Sequence, residues 1–201
     1  MIMPIYLYGT KAFDKPVHRV TQFNDKLVGL TRNMFETLAN GDGIGLAANQ
    51  IGLPVSLFVI DLSEMEAHEE EKPLAVINPV ILSSSDSSVT IEEGCLSIPG
   101  VREEVTRPES ITVSFTDGTF NTIRTELSGV SARVFQHEYD HLHQKFFVDR
   151  LSGVKRQLLK PKLSRVRRGE FATHYPAISA VDDKMKKGRE IPEYDFLDRQ
   201  D

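Results

Sequence analysis

Leu27, Leu30, Met34 and Leu38 recur at steps of three and four between Asn24 and Asn40, which places them on one face of a helix. Asn24 suits its N-cap, and Gly41 follows as a stop. The pattern then changes. GDGIGLAANQIG carries four glycines in twelve residues and reads as a loop. PVSLFVIDL (54–62), rich in Val, Leu, Ile and Phe, suits a buried strand. The acidic SEMEAHEEEK after it reads as a solvated loop. LAVINPVIL (74–82) and SSVTIEEGCLSI (87–98) predict two further strands across a serine-rich turn, and ITVSFTDGTFNTI alternates around Asp117-Gly118, a hairpin signal. Strands that arrive in succession favour antiparallel pairing over repeated βαβ units.

From Gly129 to about Gln144 the helical period returns. Val130, Val134, His137 and His141 align at steps of four and three, flanked by Phe135 and Leu142. Beyond Arg150, VKRQLLKPKLSRVRRGE is basic and amphipathic, and Pro161 is expected to interrupt it. The last thirty or so residues lack periodicity and read as a poorly ordered or loosely packed polar tail.

Composition narrows the classes. A length of 201 residues with 40% hydrophobic content suits one domain with its own core. A net charge of −5 calls for no DNA partner. No stretch approaches the roughly 20 apolar residues that cross a bilayer, and MIMPIYLYGT lacks a secretory pattern. The one cysteine, Cys95, cannot form an internal disulfide. A lone thiol fits a reducing cytosol, so a cytoplasmic location is expected.

The candidate chemistry sits in QHEYDHLHQ (136–144). Residues four apart on a helix project from one face, so His137 and His141 can offer two imidazole nitrogens to one metal ion. Glu138 lies roughly 100° round the helix, which is awkward for a ligand but within reach of a water at that ion. A surface helix that happens to hold two histidines is the plain alternative. The stripe they share with Val130 and Val134 argues against it, because unpartnered imidazoles pointing inward are expensive. A catalytic site of this kind usually needs a third protein ligand. His143 faces away from the pair, and His18, His68 and His174 lie in polar, turn-like surroundings. Cys95, in EEGCLSIPG, is either that ligand or a buried structural thiol. Gly43 and Gly45 either let the loop pass close to a substrate backbone or serve only a turn.

GIGLAANQ (43–50), EGCLS (93–97) and HEYDH (137–141), in that order, resemble the three motifs of the peptide deformylase family. H-E-x-x-H alone also marks many zinc proteases; the combination is far more specific, and the similarity runs from about Met3 to Leu151. The resemblance implies an α+β fold of mostly antiparallel sheets packed around a central helix that carries H-E-x-x-H. It implies Cys95, His137 and His141 as metal ligands, Glu138 as the catalytic carboxylate, and Gln50 with the Leu96 N–H as oxyanion donors. Gly43, Ile44 and Gly45 become the expected substrate-binding residues, and Ile44, Val130 and Val134 either line a methionine pocket or serve plain core packing. The implied ion is Fe²⁺, with Zn²⁺, Ni²⁺ or Co²⁺ as substitutes, and the implied substrates are N-formyl-methionyl nascent peptides, with release of formate. On this reading residues 1–151 form the catalytic domain, and 152–201 a basic helix and polar tail whose 155–168 segment can meet the ribosome. Asp140 is expected to orient a ligand or a neighbouring backbone group. Three positions depart from the family's common pattern: Asn49 stands where many relatives have proline, Gln144 at a frequent glycine site, and Arg133 where some have an apolar pocket residue.

Overall fold

The first apolar stripe forms α1, Asp25–Asn40, with Leu27, Leu30, Met34 and Leu38 all buried. Asn24 Oδ1 accepts from the N–H groups of Lys26 and Leu27, each at 3.1 Å, so two otherwise orphaned donors are satisfied as the sequence predicts. These features belong to a computed structural model that describes residues 1–185.

Five strands form one antiparallel sheet in the order β2 (Gly45–Ala47), β3 (Leu57–Ile60), β4 (Leu74–Ser84), β7 (Ser110–Thr116) and β8 (Thr122–Ser128). β5 (Ser88–Cys95) and β6 (Ile98–Pro108) make a separate antiparallel hairpin. β1 (Ile5–Tyr6) and β9 (Ala177–Ile178) pair in parallel. The fold thus mixes helices with mainly antiparallel sheets, as expected. α2, Gly129–Leu142, carries His137, Glu138 and His141 and packs against β2, β3, β7 and β8. Ala132, Val134, Phe135 and Leu142 share one core cluster with Ala47, Phe58, Val76, Val113 and Phe115. No helix among the described residues is long and apolar enough to cross a membrane.

Three expectations need correction, and one strand was missed. The strand read through to Ile98 ends at Cys95; Leu96 and Ser97 turn the chain, and Ile98 opens β6. β6 itself escaped the pattern reading because a buried Arg107 takes an inward position beside Val101 and Val105, which hides the alternation. The basic helix α3, Gly153–Arg167, runs unbroken through Pro161. Leu159, Leu163 and Val166, on either side of the proline, are buried against Leu7, Ile98 and Phe147, and that packing offsets the lost hydrogen bond. Finally, the C-terminal stretch is partly packed onto the domain. Tyr175, Ile178 and Ala180 are buried, and Ile5 and Tyr6 supply strand partners for Ala177 and Ile178. The rest of the expected tail, 186–201, lies outside the described residues.

Candidate metal centre and cleft

Three elements deliver the polar groups to one place. α2 brings His137, Glu138 and His141; β5 ends on Cys95; a 3₁₀ turn, Ala48–Ile51, holds Asn49 and Gln50. One ligand atom each from Cys95, His137 and His141 lies within 4.8 Å of the other two, and Cys95 Sγ is 3.2 Å from His141 Nε2. A tetrahedral ion with bonds of about 2.0–2.3 Å sets its ligands roughly 3.3–3.6 Å apart. The trio can therefore hold one ion with small adjustments. Among the described residues it is the only such group of His, Cys, Asp and Glu. The other histidines stand outside the trio: His143 bonds the Tyr139 carbonyl, His68 pairs with Glu71, His174 pairs with Asp42 in the lining of the cleft, and His18 joins Pro54 and Ser56 through its main chain.

The charges around the trio favour a cation. Glu93 Oε2 bonds His137 Nδ1 at 2.8 Å, which turns Nε2 toward the other ligands. Burial by itself would lower His137, yet its bonds to Cys95 and Glu93 prevail and push the ring up to about 10. A metal ion would have to displace that proton, since only the neutral ring has a lone pair to donate. Burial, aided by the His137 charge, keeps His141 well below the ordinary histidine value, so it is a neutral ring with a lone pair to donate.

Behind the ligands lies a buried ionic cluster that sequence reasoning missed. Arg107, 1% exposed, gives Nε to Glu93 Oε1 at 2.6 Å, Nη2 to Glu93 Oε2 at 2.9 Å and Nη1 to Asp140 Oδ2 at 2.6 Å. Arg133 Nη1 bonds Glu93 Oε1 at 2.7 Å and the Val105 carbonyl at 2.8 Å, while Nη2 bonds the Val89 carbonyl. Arg150 holds Asp140 from the other side at 2.5 and 2.6 Å. Burial would raise Glu93, but Arg107 and His137 hold it well below the usual carboxylate range. The Asp140 carboxylate thus bonds Arg107 and Arg150, and reaches His137 only through Arg107 and Glu93. Arg133 is no bare pocket wall; it ties α2 to the β5–β6 hairpin. The available signal was Glu93 two residues before Cys95, with arginines flanking the motif.

Glu138 and Gln50 face the same centre. Burial pushes the Glu138 carboxyl up to about 7, although the His137 and Arg107 charges pull the other way, and its Oε2 is buried without a hydrogen-bond partner. A carboxyl poised near neutrality can carry a proton. Gln50 Oε1 accepts from the Ala47 N–H at 2.8 Å, which aims Nε2 at Ser97 Oγ, 3.2 Å, and Cys95 Sγ, 3.5 Å. Leu96 sits in the turn beside Cys95, where the Tyr175 hydroxyl donates to its carbonyl at 2.7 Å. Gly45 needs to be glycine, since an added Cβ would stand 2.5 Å from Glu138 Oε1. At Gly43 a Cβ would press on Leu38 and Leu96 at 2.8 and 2.9 Å, so close packing explains that residue.

A cleft of about 860 Å³ opens at the centre, lined by Gly43, Ile44, Gly45, Gln50, Cys95, Leu96, Val134, His137 and Glu138, and also by residues 172–175. Ile44 and Val134 therefore meet it. Val130 does not, and packs against the α2 core instead.

Residues 2–157 match the family model for polypeptide deformylase. The chain belongs to that family. A peptide deformylase of Salinibacter ruber is 42% identical over 192 residues, which span 92% of this chain and 98% of the relative. One from Chlorobium phaeobacteroides is 40% identical, across 92% of this chain and 100% of its own. Among solved structures, a Legionella pneumophila peptide deformylase superposes with a TM-score of 0.75 at 35% identity, covering 85% of this chain and 98% of that one. The Arabidopsis thaliana peptide deformylase 1B, as a G41Q mutant, gives 0.77 at 35% identity, covering 83% and 91%. These likenesses span most of this deformylase-family chain, so its overall fold is that of the family.

Proposed function

We propose that this chain removes the N-formyl group from the N-terminal formyl-methionine of newly made polypeptides and releases formate. The observation that carries the reading is the convergence of Cys95, His137 and His141 beside Glu138 and Gln50, at the floor of an open cleft in a deformylase fold. Cys95, His137 and His141 are the residues that would hold a divalent cation. Fe²⁺ is the proposed resident, with Zn²⁺, Ni²⁺ or Co²⁺ as substitutes, because one sulfur and two imidazoles accept this range. Such an ion supplies Lewis acidity, polarising a carbonyl and making water acidic near neutral pH.

The chain's own groups do the rest. Glu138 takes the proton of the attacking water as its oxygen bonds to the formyl carbon, then returns that proton to the amine nitrogen as the C–N bond breaks. Gln50 Nε2 and the Leu96 N–H stabilise the negative charge that grows on the former carbonyl oxygen. Gly43, Ile44 and Gly45 bind the peptide backbone, and Ile44 with Val134 contacts the methionine side chain. Residues 1–151 carry this chemistry in the cytoplasm.

The segment 152–201 takes a docking role in this reading. α3 holds six lysines and arginines and no acidic residue, and Lys160, Lys162 and Arg167 have no acidic partner among the described residues. A cationic helix of this kind suits the phosphates of ribosomal RNA, where nascent chains emerge.

The substrate test uses formyl-Met-Ala-Ser and casein side by side. Formate released from the first with the second intact is the expected result. Cleavage of casein without formate release would make the chain a zinc endopeptidase instead.

A further inference from the structure

Asn49 is fully buried in the turn that also bears Gln50, and its side chain meets α2. Asn49 Nδ2 donates to the main-chain carbonyl of His141, while its Oδ1 is buried with no partner. On stability grounds this is a poor use of an amide. Burying one with half its hydrogen-bonding capacity unmet costs on the order of 1–3 kcal/mol. Nor does the His141 carbonyl need the bond, since it already accepts from the Gln144 N–H at 3.0 Å. The gain must therefore be geometric.

The contacts close a ring. Asn49 grips His141; His141 Nε2 lies 3.2 Å from Cys95 Sγ; Cys95 Sγ lies 3.5 Å from Gln50 Nε2; Gln50 is bonded to Asn49 along the chain. Remove the amide and two bodies, the 48–51 turn and the last turn of α2, lose the polar contact that sets their spacing. Both carry groups that the reaction uses.

We infer that Asn49 is a positioning residue that clamps the His141 turn of α2 onto the Gln50 turn, holding Gln50 and the proposed ligands Cys95 and His141 in register. This rests on the metal reading given above, and the test separates the two. Asn49→Ala removes the clamp. Asn49→Pro does so with a residue that the first turn of a helix tolerates, because N–H groups there have no partner within the helix. The parent, Asn49→Ala and Asn49→Pro are stripped of metal, titrated with Co²⁺, and followed by absorption spectrum, apo-protein melting and steady-state kinetics.

A parent that binds one Co²⁺ with a sulfur-to-metal band meets the premise; a parent that binds none at Cys95 removes the metal reading and this inference with it. Given that premise, both variants are expected to melt cooperatively near the parent's apo temperature. They should bind Co²⁺ about 10-fold or more weakly, with altered visible bands, and show reduced kcat at an unchanged KM. Co²⁺ affinity within twofold of the parent and superimposable spectra would overturn the inference while leaving the metal reading intact. So would loss of cooperative melting in both apo variants, which would make Asn49 a stability residue.

Discussion

At the scale of single residues, function concentrates in a few atoms whose surroundings are unlike those of a surface histidine or glutamate. Glu138 is 3% exposed, with one oxygen against Gly45 and the other unpartnered. Glu138→Gln keeps the shape and removes the proposed proton carrier. Metal content should stay near one ion per chain while formate release falls by about 10²–10⁴-fold; release above a tenth of the parent rate would remove Glu138 from its role. Gln50→Ala tests the other side of the reacting carbonyl. The expected loss is about 10²-fold in kcat, with a smaller change in KM, since the proposed donor would act on charge that appears only in the transition state. Much at this scale was legible. H-E-x-x-H is a local pattern set by the helical repeat, and Cys95 was the chain's one sulfur nucleophile. Arg107 and Arg133 were not legible, because an arginine reads as solvated until distant carboxylates are seen to bury it. Glu93 and Asp140 reach Arg107 across 14 and 33 positions of chain.

At the scale of elements, the buried cluster joins parts that no local pattern connects. Arg107 on β6 links Glu93 on β5 to Asp140 on α2, so one guanidinium fixes the hairpin that ends in Cys95 against the helix that bears both histidines. Removing one member of such a group leaves buried charges uncompensated. Arg107→Met should therefore lower unfolding free energy by about 3–5 kcal/mol in urea titrations, and a loss below 1 kcal/mol would show that the cluster contributes little. The same element explains a failure of the sequence reading. α1, β4 and the β7–β8 hairpin followed from period and caps, whereas β6 was hidden by Arg107, a charged residue at an inward position. β2 was read as loop, because three residues among glycines give no alternation to detect. Pro161 misled in the opposite sense: propensity argued for a break, and tertiary packing of α3 prevailed.

At the scale of the molecule, a chain of net charge −5 carries a helix of concentrated positive charge beside the rim of its cleft, to which Lys162 contributes. Charge reversal at Lys160 and Arg167 should weaken binding to ribosomes, flatten its dependence on salt and leave formyl-Met-Ala-Ser turnover within twofold. Ribosome affinity unchanged by the reversal would assign α3 to packing alone. The overall architecture was readable from the succession of strands and from three motifs spread over some hundred residues, whose joint presence implies convergence in space. The parallel pairing of β1 with β9 was not, since it unites two-residue strands from opposite ends of the described chain.

The proposed chemistry depends most on the identity of the atoms around the ion. X-ray absorption at the metal edge of the anaerobically purified, loaded protein measures them directly. One sulfur near 2.3 Å and two imidazole nitrogens near 2.0–2.1 Å, roughly as for zinc, with the sulfur lost in Cys95→Ser, is the expected result. A coordination shell without sulfur in the catalytically active parent would contradict it.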